Sequence, residues 1–462
     1  MKLHLRDRAL NREILRLSLP SILANLTVPL VGIVDTALAG HLNGGVGAAA
    51  FIGGISVGSM MLTLLYWNFA FLRTGTGGLT AQAFGRKDPA DCARILWRGI
   101  GLALIAALLV LLLQKPFSWL GMLLVKSSPG VSELALRYFS IRIWAAPATL
   151  LLMSFRGWFV GMQDSMSSMW TDLVVNVVNV AASVLLTFGV AGWEGLGFDG
   201  IPAGTLVAQY AGLLYVSLVC IFKYRGTLRS LPFKEVPGLF NPSALLPFLK
   251  MNSQLLGRSL CMTAIYVGYT FIASGFGDVL LACSSIMMQL LMLFSYFTDG
   301  FAYAGEALTG RFIGARDETL LRRTIRYVFA WSLGIAVLSV GLYALLGEGM
   351  IRLLTSDATV VESCRRFLPW LLVMPPLGCA AFTWDGVYLG ATATRGLFMS
   401  MFWALAGFFG CWYLGLWLWP AARPVVGGAA DASLHLLLAA YFVHLAARTV
   451  YLTAVYKKII TL

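Results

Sequence analysis

Apolar residues run in long blocks along the chain, without the two-residue alternation of strands. Gly101–Leu113 with its flanks, Ala203–Phe222, Tyr327–Leu346 and Gly396–Trp419 are four such blocks. Each reaches the roughly 20 residues that a helix needs to cross a bilayer. A transmembrane strand would alternate apolar and polar residues over about 10 positions. The pattern therefore predicts an all-α polytopic membrane protein. Twelve spans are expected, at about residues 17–41, 50–80, 94–114, 134–160, 167–190, 201–222, 245–275, 281–309, 324–346, 366–390, 396–419 and 433–455.

The chain also repeats itself. Leu79-Thr80-Ala81-Gln82-Ala83-Phe84-Gly85-Arg86-Lys87-Asp88 aligns with Leu308-Thr309-Gly310-Arg311-Phe312-Ile313-Gly314-Ala315-Arg316-Asp317, an offset of 229 residues. At the same offset Pro147 meets Pro376, Gly157 meets Gly386 and Gly161 meets Gly390. The expected organisation is two pseudo-symmetric six-helix bundles: an N-terminal lobe over residues 1–222 and a C-terminal lobe over 248–462. Between them lies a cytoplasmic linker over 223–247, basic and holding Pro232, Pro237, Pro242 and Pro247. Both motif loops follow the second span of a half, so the halves are parallel repeats about an axis along the membrane normal. That is the architecture of a secondary transporter.

Composition agrees with this reading: 59% of the 462 residues are hydrophobic and 12% charged. The formal charge of +13 invites a nucleic-acid partner. The distribution excludes one, because the basic residues gather in the loops of one face, as membrane topology requires. Arg86, Lys87, Lys223, Arg225, Arg229, Lys234, Arg316, Arg322, Arg323, Arg395, Lys457 and Lys458 mark that face. Together with the basic lead-in Lys2, Arg6, Arg8, Arg12 and Arg16, they place both termini in the cytoplasm of a multi-pass inner (plasma) membrane protein. Seven scattered cysteines lack a CxxC pair and four histidines lack metal spacing, so no metal or other cofactor is expected. An enzyme would need a catalytic histidine or metal cluster, and His435 and His444 stand alone.

The candidate chemistry is therefore the set of polar groups inside the apolar blocks. Asp35 sits in a block without lysine or arginine. A charge there costs about 2.5–3.5 kcal/mol on insertion scales unless it finds water, a partner or a proton. It reads as a protonatable coupling site. The fifth span carries Asp172, Asn176, Asn179 and Ser183, whose spacings put them on one helix face. That row reads as a cavity lining or a hydrogen-bond network around a carboxylate. In the second half, Asp299 and Glu306 lie with Tyr303 on one face of the eighth span, and Asp385 occupies the repeat position of Arg156. Arg73 and Arg258 supply opposite charge. Met61, Tyr66, Met287, Met288 and Met292 suggest an adaptable apolar wall for substrates, because thioethers repack around different ligands.

These residues resemble the multidrug and toxic compound extrusion (MATE) family, in its DinF-like branch. The resemblance rests on Leu26–Ala37 with Gly40-His41-Leu42, and on Phe71-Leu72-Arg73 with Gly78–Ala83. In the second half it rests on Asp299-Gly300-Phe301-Ala302-Tyr303 with Glu306-Ala307, and on Asp385-Gly386 with Gly390-Ala391-Thr392. It implies an antiporter, not an enzyme, that works as a monomer in the lipid bilayer. Such an antiporter exports cationic or amphipathic small molecules in exchange for protons or sodium ions. It matches Asp35 to the family's first-helix coupling carboxylate and Asn179 to a fifth-helix asparagine near it. Many relatives carry an aspartate where this chain has Ser183, and a sodium-coupled subgroup carries an acid in the seventh helix, where Met251–Gly275 holds none. Protons are thus the expected coupling ion, with sodium left open by Glu306 and Asp385. A lipid-linked oligosaccharide flippase of the same broad architecture would call for a more basic cavity than these mostly acidic groups provide.

Overall fold

A computed structural model of the chain describes residues 7–42, 47–124, 128–190, 192–232, 237–423 and 431–459. Lys2, Arg6, Lys126, Lys234 and most of the glycine-rich loop 43–47 lie outside them. The described residues form helices and no strands. In order they are α1 (Arg8–Gly40), α2 (Ala48–Trp67), α3 (Phe71–Gly85), α4 (Pro89–Leu112), α5 (Gln114–Leu124), α6 (Pro129–Arg142), α7 (Ala146–Gly161), α8 (Ser165–Phe188) and α9 (Gly200–Lys223). They continue as α10 (Arg225–Arg229), α11 (Pro242–Ser274), α12 (Asp278–Gly314), α13 (Glu318–Leu354), α14 (Ala358–Arg365), α15 (Leu368–Gly390), α16 (Thr394–Leu418) and α17 (Asp431–Ile459).

Eleven of the resulting helical stretches are long and apolar enough to cross a membrane, and α14 with α15, bent by 52°, makes a twelfth. Each coincides with one expected span. The helices are longer than their apolar blocks: α13 begins at Glu318 and α12 continues to Gly314. Backbone hydrogen bonding propagates a helix past the point where its side chains turn polar, so hydropathy alone sets the ends too early. The short α5 and α14 were not foreseen, because neither carries a full span of its own.

The chain divides into two compact units, Leu23–Asn252 and Met1–Ile22 with Ser253–Leu462. Both boundaries fall inside helices, α1 and α11, and not in the linker. The start of α1 is held by second-half residues. Asp7 N–H donates to the Tyr327 hydroxyl at 3.1 Å, Trp331 Nε1 donates to Asn11 Oδ1 at 2.9 Å, and Glu13 pairs with Arg311.

The repeat is built into backbone geometry. A Cβ on Gly157 would lie 2.0 Å from the Arg73 carbonyl oxygen, and one on Gly386 would lie 2.0 Å from the Ala302 carbonyl oxygen. Both residues of each contact are related by the 229-residue offset. Gly161 meets Thr80 as Gly390 meets Thr309. Left-handed backbone recurs at Lys87 (φ 58°) and Arg316 (φ 56°), and at Gln163 (φ 62°) and Thr392 (φ 53°). The following aspartates cap the next helices alike: Asp88 Oδ1 accepts from Asp91 N–H, and Asp317 Oδ1 from Leu320 N–H, both at 2.9 Å.

One cap has diverged. Asp164 accepts from Ser167 N–H at 3.2 Å, from Lys223 Nζ at 2.7 Å and from the Tyr224 hydroxyl at 2.6 Å. Burial opposes its charge, but these donors prevail and hold its carboxyl below the usual carboxylate range. Its repeat partner is Ala393, which cannot cap.

The glycine contacts yield a matched test. Gly157→Ala and Gly386→Ala should each destabilise the protein by about 1–3 kcal/mol, the usual cost of overpacking. Gly334→Ala, where a Cβ meets nothing within 4 Å, should not. Thermal unfolding of the detergent-solubilised variants measures the difference.

Candidate functional site

Asp35 lies on α1 and is 1% exposed. Its Oδ2 accepts a hydrogen bond of 3.0 Å from the hydroxyl of Tyr138 on α6. The Tyr138 oxygen in turn accepts from Arg142 Nη1, one helical turn on, and from the Ser59 hydroxyl of α2 at 3.1 Å. Arg142 Nη1 also donates to Ser59 Oγ at 3.3 Å. Among the described residues Asp35 Oδ1 is buried with no hydrogen-bond partner.

Local sequence explains why α6 comes this close. Gly54-Ile55-Ser56-Val57-Gly58 on α2 is a G-x-x-x-G stretch, which lets membrane helices approach backbone to backbone. A Cβ on Gly54 would lie 2.6 Å from Leu134 Cβ, and one on Gly58 2.7 Å from the Tyr138 ring. The two glycines thus make room for Tyr138, and Ser59 follows directly after them.

The α8 row has a different destination. The Asn179 amide donates to Thr205 Oγ1 of α9 at 2.9 Å, and the Ser183 hydroxyl to the Ile201 carbonyl at 3.4 Å. Gly204 permits this approach, since a Cβ there would lie 2.2 Å from Ser183 Oγ. Asn179 and Ser183 are fully buried and Asn176 is half-buried. Asp172 forms an ion pair of 2.5 Å with Arg156 on α7. The residues share a face as their spacing requires, but the hydrogen bonds of Asn179 and Ser183 join α8 to α9. The hydrogen bond to Asp35 comes from α6.

In the second half, Asp385 Oδ2 is held by Arg258 on α11 at 2.5 Å and by Arg448 on α17. Glu306 is fully buried on α12, and Asp299, two turns earlier, is half-buried. Among the apolar candidates, Met61 packs over Gly121 of α5, and Met287 sits in the second unit's core with Leu290, Leu291 and Phe294. Both are enclosed. Tyr66, Met288 and Met292 keep partial exposure, and Met292 Sδ accepts from the Tyr266 hydroxyl at 3.7 Å. An open apolar hollow of about 410 Å³ is lined by Val34, Ala37, Leu38, His41 and Phe188, along α1 just beside Asp35.

Sequence reasoning missed Ser59, Tyr138, Arg142 and Arg448. Arg142 and Arg448 did carry a signal, since each is an arginine inside an expected span. Tyr138 stands four residues before Arg142 and so shares its face.

The MatE family profile matches residues 20–185 and 255–412, most of the chain and both halves. DNA damage-inducible protein F of Escherichia coli K12 is 34% identical over 400 residues, covering 86% of this chain and 84% of that protein. The probable multidrug resistance protein NorM of Photorhabdus laumondii is 24% identical, covering 88% of this chain and 86% of that one. A crystal structure of MATE in the bent conformation superposes with a TM-score of 0.81 over 98% of this chain and 97% of that chain. At 16% identity this is a likeness of fold alone. With the family profile matching most of the chain in both halves and the first of these relatives 34% identical over 84% of its length, this multi-pass membrane protein belongs to the MatE family of multidrug and toxic compound efflux transporters.

Proposed function

We propose that the protein is a proton-coupled antiporter that exports cationic or amphipathic compounds from the cytoplasm across the inner membrane, with both termini cytoplasmic. The observation that carries this reading is the state of Asp35. It is a buried intramembrane acid whose hydrogen-bond partner is a neutral hydroxyl and whose second oxygen has no hydrogen-bond partner among the described residues. Such a carboxylate has a place for a proton. Asp385, by contrast, touches two arginines, and such an ion cluster in a low-dielectric interior resists neutralisation.

In the cycle, a proton from outside neutralises Asp35, the first helix bends, and bound compound is released outward. Return to the inward-facing state delivers the proton to the cytoplasm. Protonation and substrate binding exclude one another, and that exclusion is the coupling free energy of an antiporter. The sequence favours protons over sodium. Ser183 leaves the first half with fewer acids to share a cation with Asp35, and Met251–Gly275 lacks the acid that a sodium-coupled subgroup carries in its seventh helix.

Two outcomes are expected. Asp35→Asn should abolish proton-driven efflux of cationic dyes in proteoliposomes while the protein still folds and inserts. An imposed proton gradient should drive wild-type efflux and an imposed sodium gradient should not; wild-type rates in the variant, or sodium-driven efflux, would defeat the reading.

Asp385 should behave as a structural charge. Asp385→Asn should cost about 3–5 kcal/mol by stranding two arginines, whereas replacing Asp385, Arg258 and Arg448 together with apolar residues of similar volume should recover most of it. Thermal unfolding tests this. Loss of proton-driven transport in a triple variant that folds normally would instead place coupling in the second half.

A further inference from the structure

We propose that Arg142 is a positioning residue for the coupling carboxylate: acting through Tyr138, it fixes the direction of the hydrogen bonds around Asp35 and so decides which oxygen takes the proton and at what pH. This rests on the reading of Asp35 as the coupling site.

A guanidinium donates and never accepts. Arg142 Nη1 donates both to Ser59 Oγ and to the Tyr138 oxygen. Ser59, having accepted, donates its own proton to the Tyr138 oxygen at 3.1 Å. A phenol oxygen has two lone pairs, and here both are filled. The remaining hydrogen-bonding capacity of Tyr138 is its own proton, which goes to Asp35 Oδ2 at 3.0 Å. The circuit therefore has a single sense, from Arg142 to Asp35. Tyr138 is fully buried, so no water competes for its hydroxyl.

Two consequences follow for Asp35. With Arg142 in place, Oδ2 cannot donate to Tyr138, because that oxygen has no free lone pair. The incoming proton must bind Oδ1, which is buried and has no hydrogen-bond partner among the described residues. The circuit is also built for the ionised carboxylate: a phenol donor and, behind it, a fixed positive charge both favour the anion over the acid. The titratable and charged groups facing Asp35 from the packed helices are Tyr138 and Arg142 on α6, with Tyr66 of α2 set against Arg142. Arg142 is thus the cation among them.

Without the guanidinium the circuit loses its sense. Tyr138 could then turn and accept a proton from Asp35, and the acid would be stabilised by the same hydrogen bond that now stabilises the anion. Arg142 in this view sets the working range of the transporter without touching the proton.

The test measures the pH of half-maximal proton-driven efflux in proteoliposomes, with the infrared carboxylic-acid band of Asp35 followed against pH as a second readout independent of transport. Asp35→Asn identifies the band by removing it. Arg142→Gln should move both midpoints to higher pH by about one unit, the scale on which a nearby charge acts. Arg142→Lys, still a donor-only cation, should hold both near wild type. Tyr138→Phe should shift them upward too, and Arg142→Gln combined with Tyr138→Phe should shift them no further than the larger single change. Unchanged midpoints in Arg142→Gln would overturn the proposal, as would equal shifts in the Lys and Gln variants. Should Arg142→Gln fail to fold, Ser59→Ala and Tyr138→Phe carry the test: Tyr138→Phe with both midpoints unmoved would overturn it. If Asp35→Asn itself transports protons normally, it is the coupling assignment that fails; if Asp35→Asn is inactive but Arg142→Gln titrates as wild type, only the role of Arg142 fails.

Discussion

A charged side chain that leaves water for the interior of a membrane protein must be compensated there, because the bilayer offers it nothing. Three intramembrane acids, Asp35, Asp172 and Asp385, meet that demand in different ways. Asp172 meets it with Arg156 and Asp385 with both Arg258 and Arg448. Asp35 meets it incompletely, with one phenol bond and a guanidinium one residue removed. An acid in direct contact with a cation has its charge fixed by the protein. An acid compensated at second hand keeps a choice between charge and proton, and this is the requirement for a coupling group.

The repeat shows how a common frame carries unlike chemistry. The glycine contacts at Gly157 and Gly386, and at Gly161 and Gly390, hold equivalent helices at equivalent distances. Because those contacts are made by backbone, the side chains around them are free to diverge. Arg156 in the first half stands where Asp385 stands in the second, and each has recruited a partner of opposite sign from a different helix: α8 for Arg156, α11 and α17 for Asp385. Asp35 corresponds to Ala264. At that offset the duplicated frame therefore holds one first-helix carboxylate and not two, although the halves are alike in fold.

Much of the fold was legible in the chain, for physical reasons that also mark where legibility stops. A span must be apolar over its whole length, so Ala203–Phe222 and its counterparts announce themselves. A repeat of glycines survives in sequence because nothing larger fits against a carbonyl oxygen. Asp35 was legible because a solitary carboxylate in an apolar block is conspicuous. Its partners were not. Tyr138 lies 103 residues away, and helical periodicity tells which residues share a face, not which helix that face meets. The α8 row illustrates this. Asn179 and Ser183 do share a face, but their bonds go to α9, at a site opened by Gly204. The methionines are ambiguous for a related reason: a thioether suits a core as well as a cavity, and Met61 and Met287 are in cores while Met288 and Met292 keep partial exposure.

The position of Asp35 within α1 adds a mechanical side to its electrostatic one. Near its start α1 is held by Tyr327, Trp331 and Arg311, and Gly300 brings α12 so close that a Cβ there would lie 2.3 Å from Ile22. Four turns further on, the same helix carries Asp35 into the other compact unit and its contact with α6. A change of charge at Asp35 thus acts on a helix whose far end is already anchored. α11 also passes from one unit to the other, yet between Met251 and Gly275 it holds no acid, and Arg258 is bound to Asp385. Of the two helices shared between the units, α1 has the acid that the proposed cycle protonates, and α11 has a charge already paired.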